Sequence, residues 1–334
     1  MRRLVLLLGL AACGGDDAVA PDPMTFEFGP YALTAGQEVN NQCVSVTLDN
    51  EQPLYINAVE LTTGPGFHHS NWFWVPESAF GGADGTWKCS DRQYDEAVAG
   101  LQGAVLFAQS TQALHEVQQF PESAAIVIPP HSRLVAGTHL LNTGDDPLSV
   151  TLSLKITPLA STSRPLNGMS FTNESIHIPP MRKSRMSMEC PVDQAYRNVY
   201  GTAPDFKIVY ALAHYHELGS GMTIEAVKSD GTSAPVFTTA NRIGDALGGT
   251  IDPGFDITGY TKMRYWCEFD NPRTTEVRWG VGDQEMCTFL AFTDSPAKIA
   301  GGALNYNETP VITDHGDYID YAYPCDLIAT PIDN

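Results

Sequence analysis

The chain has 334 residues, enough for two domains of ordinary size. It carries 39 acidic against 19 basic residues, a formal net charge of −20, and no run of Lys or Arg exceeds a pair such as Arg182-Lys183. That balance argues against a nucleic-acid partner. It favours solubility and gives a mild preference for cationic over anionic small molecules.

Met1-Arg2-Arg3 opens the chain, followed by an apolar run from Leu4 to Leu10. The run is too short to span a bilayer and fits the core of a secretory signal. It ends Leu10-Ala11-Ala12-Cys13, which resembles a bacterial lipobox, where the Cys is acylated and becomes the mature N-terminus. Residues 1–13 are thus expected to be a lipoprotein signal, with Cys13 the lipidation site and the only membrane contact. Gly14 stands where an Asp would retain a lipoprotein at the inner membrane in enterobacteria, so the expected address is the outer membrane or cell surface. Residues 14–23 are small, acidic and Pro-containing and read as a tether.

Beyond the tether, helical periodicity is nearly absent. Short alternating runs recur, at Val44–Leu48, Leu148–Ile156, Met222–Val227 and Thr275–Trp279, separated by turn signals such as Ser229-Asp230-Gly231 and Asp270-Asn271-Pro272. With 29 Gly and 23 Pro, the pattern predicts an all-β chain of sandwich type. A single helix is expected, between Asp91 and Leu106. The small and polar stretch Thr157–Pro165 interrupts the strand pattern and divides the chain into halves, 24–158 and 165–330.

Six cysteines remain once Cys13 is set aside: Cys43, Cys89, Cys190, Cys267, Cys287 and Cys325. An even set in an exported chain implies up to three disulfides, with fifteen connectivities open. Thiolate metal ligands fit poorly with an oxidising compartment and with the absence of a Cys-x-x-Cys.

Metal-binding residue types recur at suggestive places. The stretch from Phe206 to Gly219 reads as a buried strand, in which alternation would put His214 and His216 on one face. Two imidazoles so placed can close on one ion, although imidazole alone does not name the metal. Upstream stand the adjacent His68 and His69 and, seventy positions after His69, His139. Adjacent side chains on a regular strand point apart, so His68 and His69 can share an ion only from a bulge or irregular segment. Gly64-Pro65-Gly66 just before them suggests one. Seventy positions after His216 comes Met286, within Glu285-Met286-Cys287. A thioether favours Cu(I) and is a poor ligand for zinc, so Met286 is the residue that turns a metal site into a copper site.

This order resembles the copper type II, ascorbate-dependent monooxygenases, the family of dopamine β-hydroxylase and the peptidylglycine α-hydroxylating monooxygenase. The resemblance runs from about Phe26 to Tyr323. It implies two antiparallel jelly-roll-like β-sandwich domains packed together, with two coppers facing each other across an open gap. His68, His69 and His139 would hold the electron-transfer copper in domain 24–158. His214, His216 and Met286 would hold the oxygen-binding, catalytic copper in domain 165–330. It also implies the pairings Cys43–Cys89, Cys190–Cys325 and Cys267–Cys287.

The departures bear on substrate. The position two before the His-x-His, an Arg that grips a substrate carboxylate in the amidating branch, is here Leu212. The Tyr four after the Met is Leu290, the Asn two after it is Thr288, and the Gln two before the third His is Gly137. A carboxylate would lose its charge-assisted partners, several kcal/mol on an order-of-magnitude scale, so glycine-extended peptides are not the expected substrate. The expectation is a monomeric, exported copper monooxygenase. It would hydroxylate a C–H bond of a small molecule with dioxygen and an external one-electron reductant such as ascorbate. A copper-binding protein without turnover is the alternative, and a purely structural lipoprotein a third reading. His115, His131, His177 and His315 match no motif position. Trp72, Trp74 and Trp87 read as core, and Glu217 and Glu285 either orient an imidazole or are solvated.

Overall fold

A computed structural model describes residues 19–332, so the signal segment and Cys13 lie outside the described residues. The chain is all-β, built as two sandwiches. Outer strands bury one face by alternation, whereas the central strand Lys207–His214 is buried on both. In Leu148–Leu159, Val150, Leu152, Leu154 and Ile156 point inward while Ser149 and Thr151 are exposed.

In the first half one sheet runs Met24–Leu33, Leu148–Leu159, Leu54–Thr63 and Ala124–Ile128, with His115–Gln119 also on Leu54–Thr63. The facing sheet runs Gly85–Lys88, Glu38–Thr47, Ser132–Leu141, Phe67–Pro76 and Ala104–Ala108. In the second half Arg164–Asn173, Thr288–Thr293, Lys207–His214 and Gly248–Asp256 form one sheet, extended by Ala297–Ala303 and Asp326–Pro331. Its partner sheet runs Ser233–Thr239, Gly219–Val227, Lys262–Asn271, Arg182–Cys190, Ile319–Tyr323 and Val311–Asp314. Most pairings are antiparallel. One parallel pairing, Ala124–Ile126 with Arg164–Leu166, joins the two halves into a continuous sheet, and a single apolar core extends through both.

The three bridges are Cys43–Cys89, Cys190–Cys325 and Cys267–Cys287, the pairing the resemblance implied. Three local expectations are corrected. The helix expected over Asp91–Leu106 is a short 3-10 turn, Cys89–Arg92, and a seven-residue helix, Glu96–Gln102. Gly103 then ends it, because any Cβ there would strike the carbonyl of Trp74, and Ala104–Ala108 is strand. A second helix, Val192–Tyr200, was not anticipated. It starts after Pro191 and stops at Gly201 in the left-handed conformation. The interruption at Thr157–Pro165 is also shorter than its composition suggested, since Thr157–Leu159 completes one strand and Arg164 begins the next.

Candidate metal centre

His68 and His69 lie on the strand Phe67–Pro76, against Ser132–Leu141. Phe67 pairs with Leu140 and His69 with His139, so His68 is the extra residue of a β-bulge. The bulge swings both imidazoles to one side and brings their Nδ1 atoms to 2.8 Å. Two metal–nitrogen bonds of about 2.0 Å meeting at a right angle would set nitrogens about 2.8 Å apart. His139 sits directly across, its ring centroid 4.4 Å from that of His68 and 5.3 Å from that of His69. Ligand atoms of these three residues all lie within 4.8 Å of one another. The Nε2 of His139 is 2.7 Å from Glu38 Oε1. With Nε2–H donated to that carboxylate, Nδ1 is the nitrogen left with a lone pair for a metal.

The second set is reached differently from the sequence expectation. Lys207–His214 ends at His214, and His216 lies past the strand, so alternation does not align them. Instead Tyr215 is driven into the core and its hydroxyl bonds the carbonyl of Asn241. Gly219 packs on the Tyr215 ring where a Cβ could not fit, and the chain turns back sharply. The rings of His214 and His216 end 5.3 Å apart. His216 is fixed on two sides: its backbone N–H donates to Glu285 Oε2 at 2.8 Å and its Nδ1 meets the carbonyl of Gln284 at 2.8 Å. Its Nε2 is buried without a hydrogen-bond partner, as an imidazole awaiting a Lewis acid would be.

Glu285 is the clamp of this segment. Its buried carboxylate accepts from the backbone of His216, of Leu218 at 2.6 Å and of Met286. It therefore ties the turn carrying His216 to the segment carrying Met286, which is half-buried. The adjacent Cys287 is bridged to Cys267 on the opposite sheet, so the methionine is held from both sides. Glu217 does not reach an imidazole; it pairs with Arg273 near the surface.

The two sets are not separated by a gap. The rings of His69 and His214 lie 5.4 Å apart and those of His68 and His216 5.8 Å, spacings like those inside each set. The polar segment Gln109–Gln112 braces the junction. The Gln109 side chain accepts from Ser70 N–H at 3.0 Å, its main-chain carbonyl accepts from His214, and Gln112 N–H donates to the carbonyl of His68 at 2.5 Å. Ser110 Oγ takes Leu247 N–H at 2.7 Å, and Thr111 Oγ1 donates to the carbonyl of Tyr215 at 3.3 Å.

Burial, with neighbouring imidazoles adding to it, pushes His68 and His214 down to about 3 and His69 well below its ordinary value. His216 is lowered by burial as well, against the opposing pull of the Gln284 carbonyl. Glu285 moves the other way, up to about 7, because burial outweighs its three backbone hydrogen bonds. Neutral imidazoles are the form that binds metal.

The positions expected to touch substrate divide. Leu212 is fully buried, beside Gly248 on the neighbouring strand, and is not open to a ligand here. Two residues along the same strand, Tyr210 is covered by Phe120 of the first half. Leu290 is half-buried, and Thr288 Oγ1 lies 3.3 Å from Thr172 Oγ1. Gly137 leaves its place to Tyr94, whose hydroxyl accepts its N–H at 3.2 Å. Trp72 is core, and Trp74 and Trp87 pack at its margin. His115 and His177 pair with Glu60 and Glu276, and His315 stacks on Tyr318. Glu38 and Gln109 carry no signal in sequence: Glu38 stands 101 positions from the imidazole it holds, and only the strand register joins them.

Fold and site together define a two-sandwich β protein with five histidines gathered at the seam between its halves. No protein-family model matches the chain, and no curated protein matches it. Solved structures similar to it include a triple jelly-roll protein of an archaeal virus. That match has 10% identity and a TM-score of 0.24, covering 78% of this chain and 58% of that one. Two others are the PBSX exported protein XepA, with 11% identity, a TM-score of 0.20 and 87% and 100% covered, and a peptide-N(4)-(N-acetyl-β-D-glucosaminyl)asparagine amidase, with 7%, 0.31, 82% and 97%. Likenesses this distant carry no argument about chemistry.

Proposed function

We propose that this chain is an exported copper-dependent monooxygenase, as the order of its candidate ligands suggests. The observation that carries the reading is the convergence of His68, His69 and His139 with His214 and His216, with the Nε2 of His216 buried and unpartnered. The donor set fits copper: three imidazoles suit both oxidation states, and two imidazoles with the Met286 thioether favour Cu(I). Bound copper would supply one-electron storage and dioxygen reduction. The overall balance is RH + O2 + two electrons + two protons giving ROH + H2O, with electrons from an external donor such as ascorbate.

The chain's own residues have separable tasks. Glu38 fixes the tautomer of His139, Gln284 fixes that of His216, and Glu285 holds the Met286 segment against the His216 turn. The apolar Leu290 offers nothing to bind a carboxylate, so the substrate class is a small, uncharged molecule. The three disulfides and the lipobox-like Cys13 support export with a lipid anchor. Cys13→Ser should move the folded protein from the membrane fraction to the soluble one; its persistence on membranes after a salt wash would remove the anchor from the reading.

The closed seam and the burial of Leu212 favour a second reading, a protein that holds copper without turnover. Copper content and oxygen uptake, measured with a panel of C–H substrates and reductants, separate the two. Oxygen consumption matched by hydroxylated product, and lost by orders of magnitude in Met286→Ile, is the outcome expected of the enzyme. Bound copper with no coupled oxygen uptake in any combination would leave only the holding function.

A further inference from the structure

We infer that the outer face of the second half's partner sheet carries a binding site for a neutral oligosaccharide, centred on Trp266. The inference is independent of the copper reading, because the side chains that form the site stand on the face of the sheet opposite the core. The register fixes how they stand. Trp266 lies opposite Ser187, Ser187 opposite Ala322 and Ala322 opposite Val311, so these four form one row across four neighbouring strands. Trp266 is half-buried, Ser187 and Ala322 are small, and Val311 on the edge strand is 72% exposed. Small residues between an indole and a valine make the floor of a trough. With strands about 4.8 Å apart, its walls rise from backbones about 14 Å apart. Its volume is about 730 Å³, and ligand pockets span about 300–1,000 Å³.

Ion pairs close the trough at both ends. Two residues along in one direction, Arg264 Nε donates to Glu189 Oε1 at 2.8 Å, Lys262 Nζ to Glu189 Oε2 at 2.9 Å, and Arg264 Nη1 to Glu225 at 3.4 Å. Two residues along in the other, Arg185 Nη2 donates to Asp320 Oδ2 at 2.6 Å and Ser187 Oγ to Asp320 Oδ1 at 2.9 Å. The Arg185 guanidinium also lies 5.2 Å from the Trp266 ring and 5.1 Å from that of Tyr318. Glu268 accepts the indole N–H at 3.3 Å and sets the tilt of the ring.

This chemistry selects the ligand. An indole matches the C–H face of a pyranose, whose hydroxyls then point sideways. The groups beside the indole are guanidinium and carboxylate planes, donors and acceptors suited to neighbouring hydroxyls. Their mutual bonds hold them in place, so little ordering is left for a ligand to impose. All three cations are already paired with carboxylates, so an anionic sugar would have to break a pair. Arg185 already occupies the place of a cation beside the indole. A peptide strand has nothing to join, since Lys262–Asn271, Arg182–Cys190 and Ile319–Tyr323 are each paired on both sides. Recognition must run through side chains alone.

The test is isothermal titration calorimetry of the intact chain with maltotriose, cellotriose, xylotriose and tri-N-acetylchitotriose, and with trigalacturonate as the anionic comparison. At least one neutral trisaccharide should bind at one site per chain, equally well with and without added copper. Trp266→Ala should weaken that binding about tenfold, and Trp266→Phe by less. Ala322→Trp fills the trough from an exposed position, removes no core contact, and should abolish binding even if Trp266→Ala does not fold. Binding of none of the neutral sugars, or binding unchanged in Ala322→Trp, would overturn the inference. Preference for trigalacturonate would overturn the neutral class. Each of these failures leaves the copper reading standing.

Discussion

Glu38→Ala isolates the support of one ligand from the ligand itself. The Glu38 carboxylate accepts from His139 Nε2 at 2.7 Å, and the imidazole side chain is 7% exposed against 39% for the carboxylate. Removing the carboxylate costs the fold about 0.5–1.5 kcal/mol, the net value of one hydrogen bond, since water can reach the exposed side of the pair. The metal should feel it more: loss of a carboxylate that orients a ligating imidazole typically weakens affinity roughly 10- to 100-fold, about 1.4–2.7 kcal/mol. The loss should fall on His68, His69 and His139, so it is best read by chelator competition in a His216→Ala background, where that set binds alone. Glu38→Gln keeps an acceptor without the charge and should fall between the two. Unchanged affinity in both variants would mean that His139 is oriented by its strand pairing alone. A loss equal to the change in unfolding free energy would mean that Glu38 acts only through stability.

Other outcomes follow from the same geometry. Replacing Cys267 and Cys287 together by Ser opens a loop spanning a sequence separation of 20, which should lower the unfolding free energy by about 3 kcal/mol in urea titration; an unchanged midpoint would show the two sheets held by packing alone. His68 and His214 stay neutral down to about 3 and His69 is likewise depressed, so none needs to release a proton before binding metal between pH 7 and 5. Protonation of these three rings should therefore take little from copper affinity over that range. A steep loss on acidification, roughly 30-fold per ligand as expected of imidazoles titrating near 6.5, would show these rings to be open to water.

The fold class was legible because alternation and turn residues are local signals: Leu148–Leu159 declares its inward face residue by residue. The histidines were legible as candidates because they come in tight local clusters. What could not be read was their arrangement. His214 and His216 looked like two positions on one strand face, yet it is the burial of Tyr215 and the turn at Gly219 that bring them together. The bulge at His68 was foreshadowed by the glycines before it, whereas the closeness of the two sets depends on pairing between distant strands. Glu38 and Gln109 belong to that second class: ordinary polar residues made specific only by register. The helix Val192–Tyr200 leaves little trace in the sequence because it is short and buries only Val192, Ala195 and Tyr196.

The parallel pairing of Ala124–Ile126 with Arg164–Leu166 has a mechanical consequence. Arg164 also grips Asp294, which in turn takes the backbone N–H of Lys207, so the join between halves lies at the Lys207 end of the strand that finishes in His214. Six residues of extended chain separate Ile208 from His214, about 20 Å of lever arm. A rotation of about 10° around the join would part the histidine rings by about 3.5 Å at the far end, while costing the pivot almost no displacement. Covalent continuity and sheet continuity thus coincide at a fulcrum, and the bonds of Gln109–Gln112 to both ligand sets are what hold the far end against such a rotation.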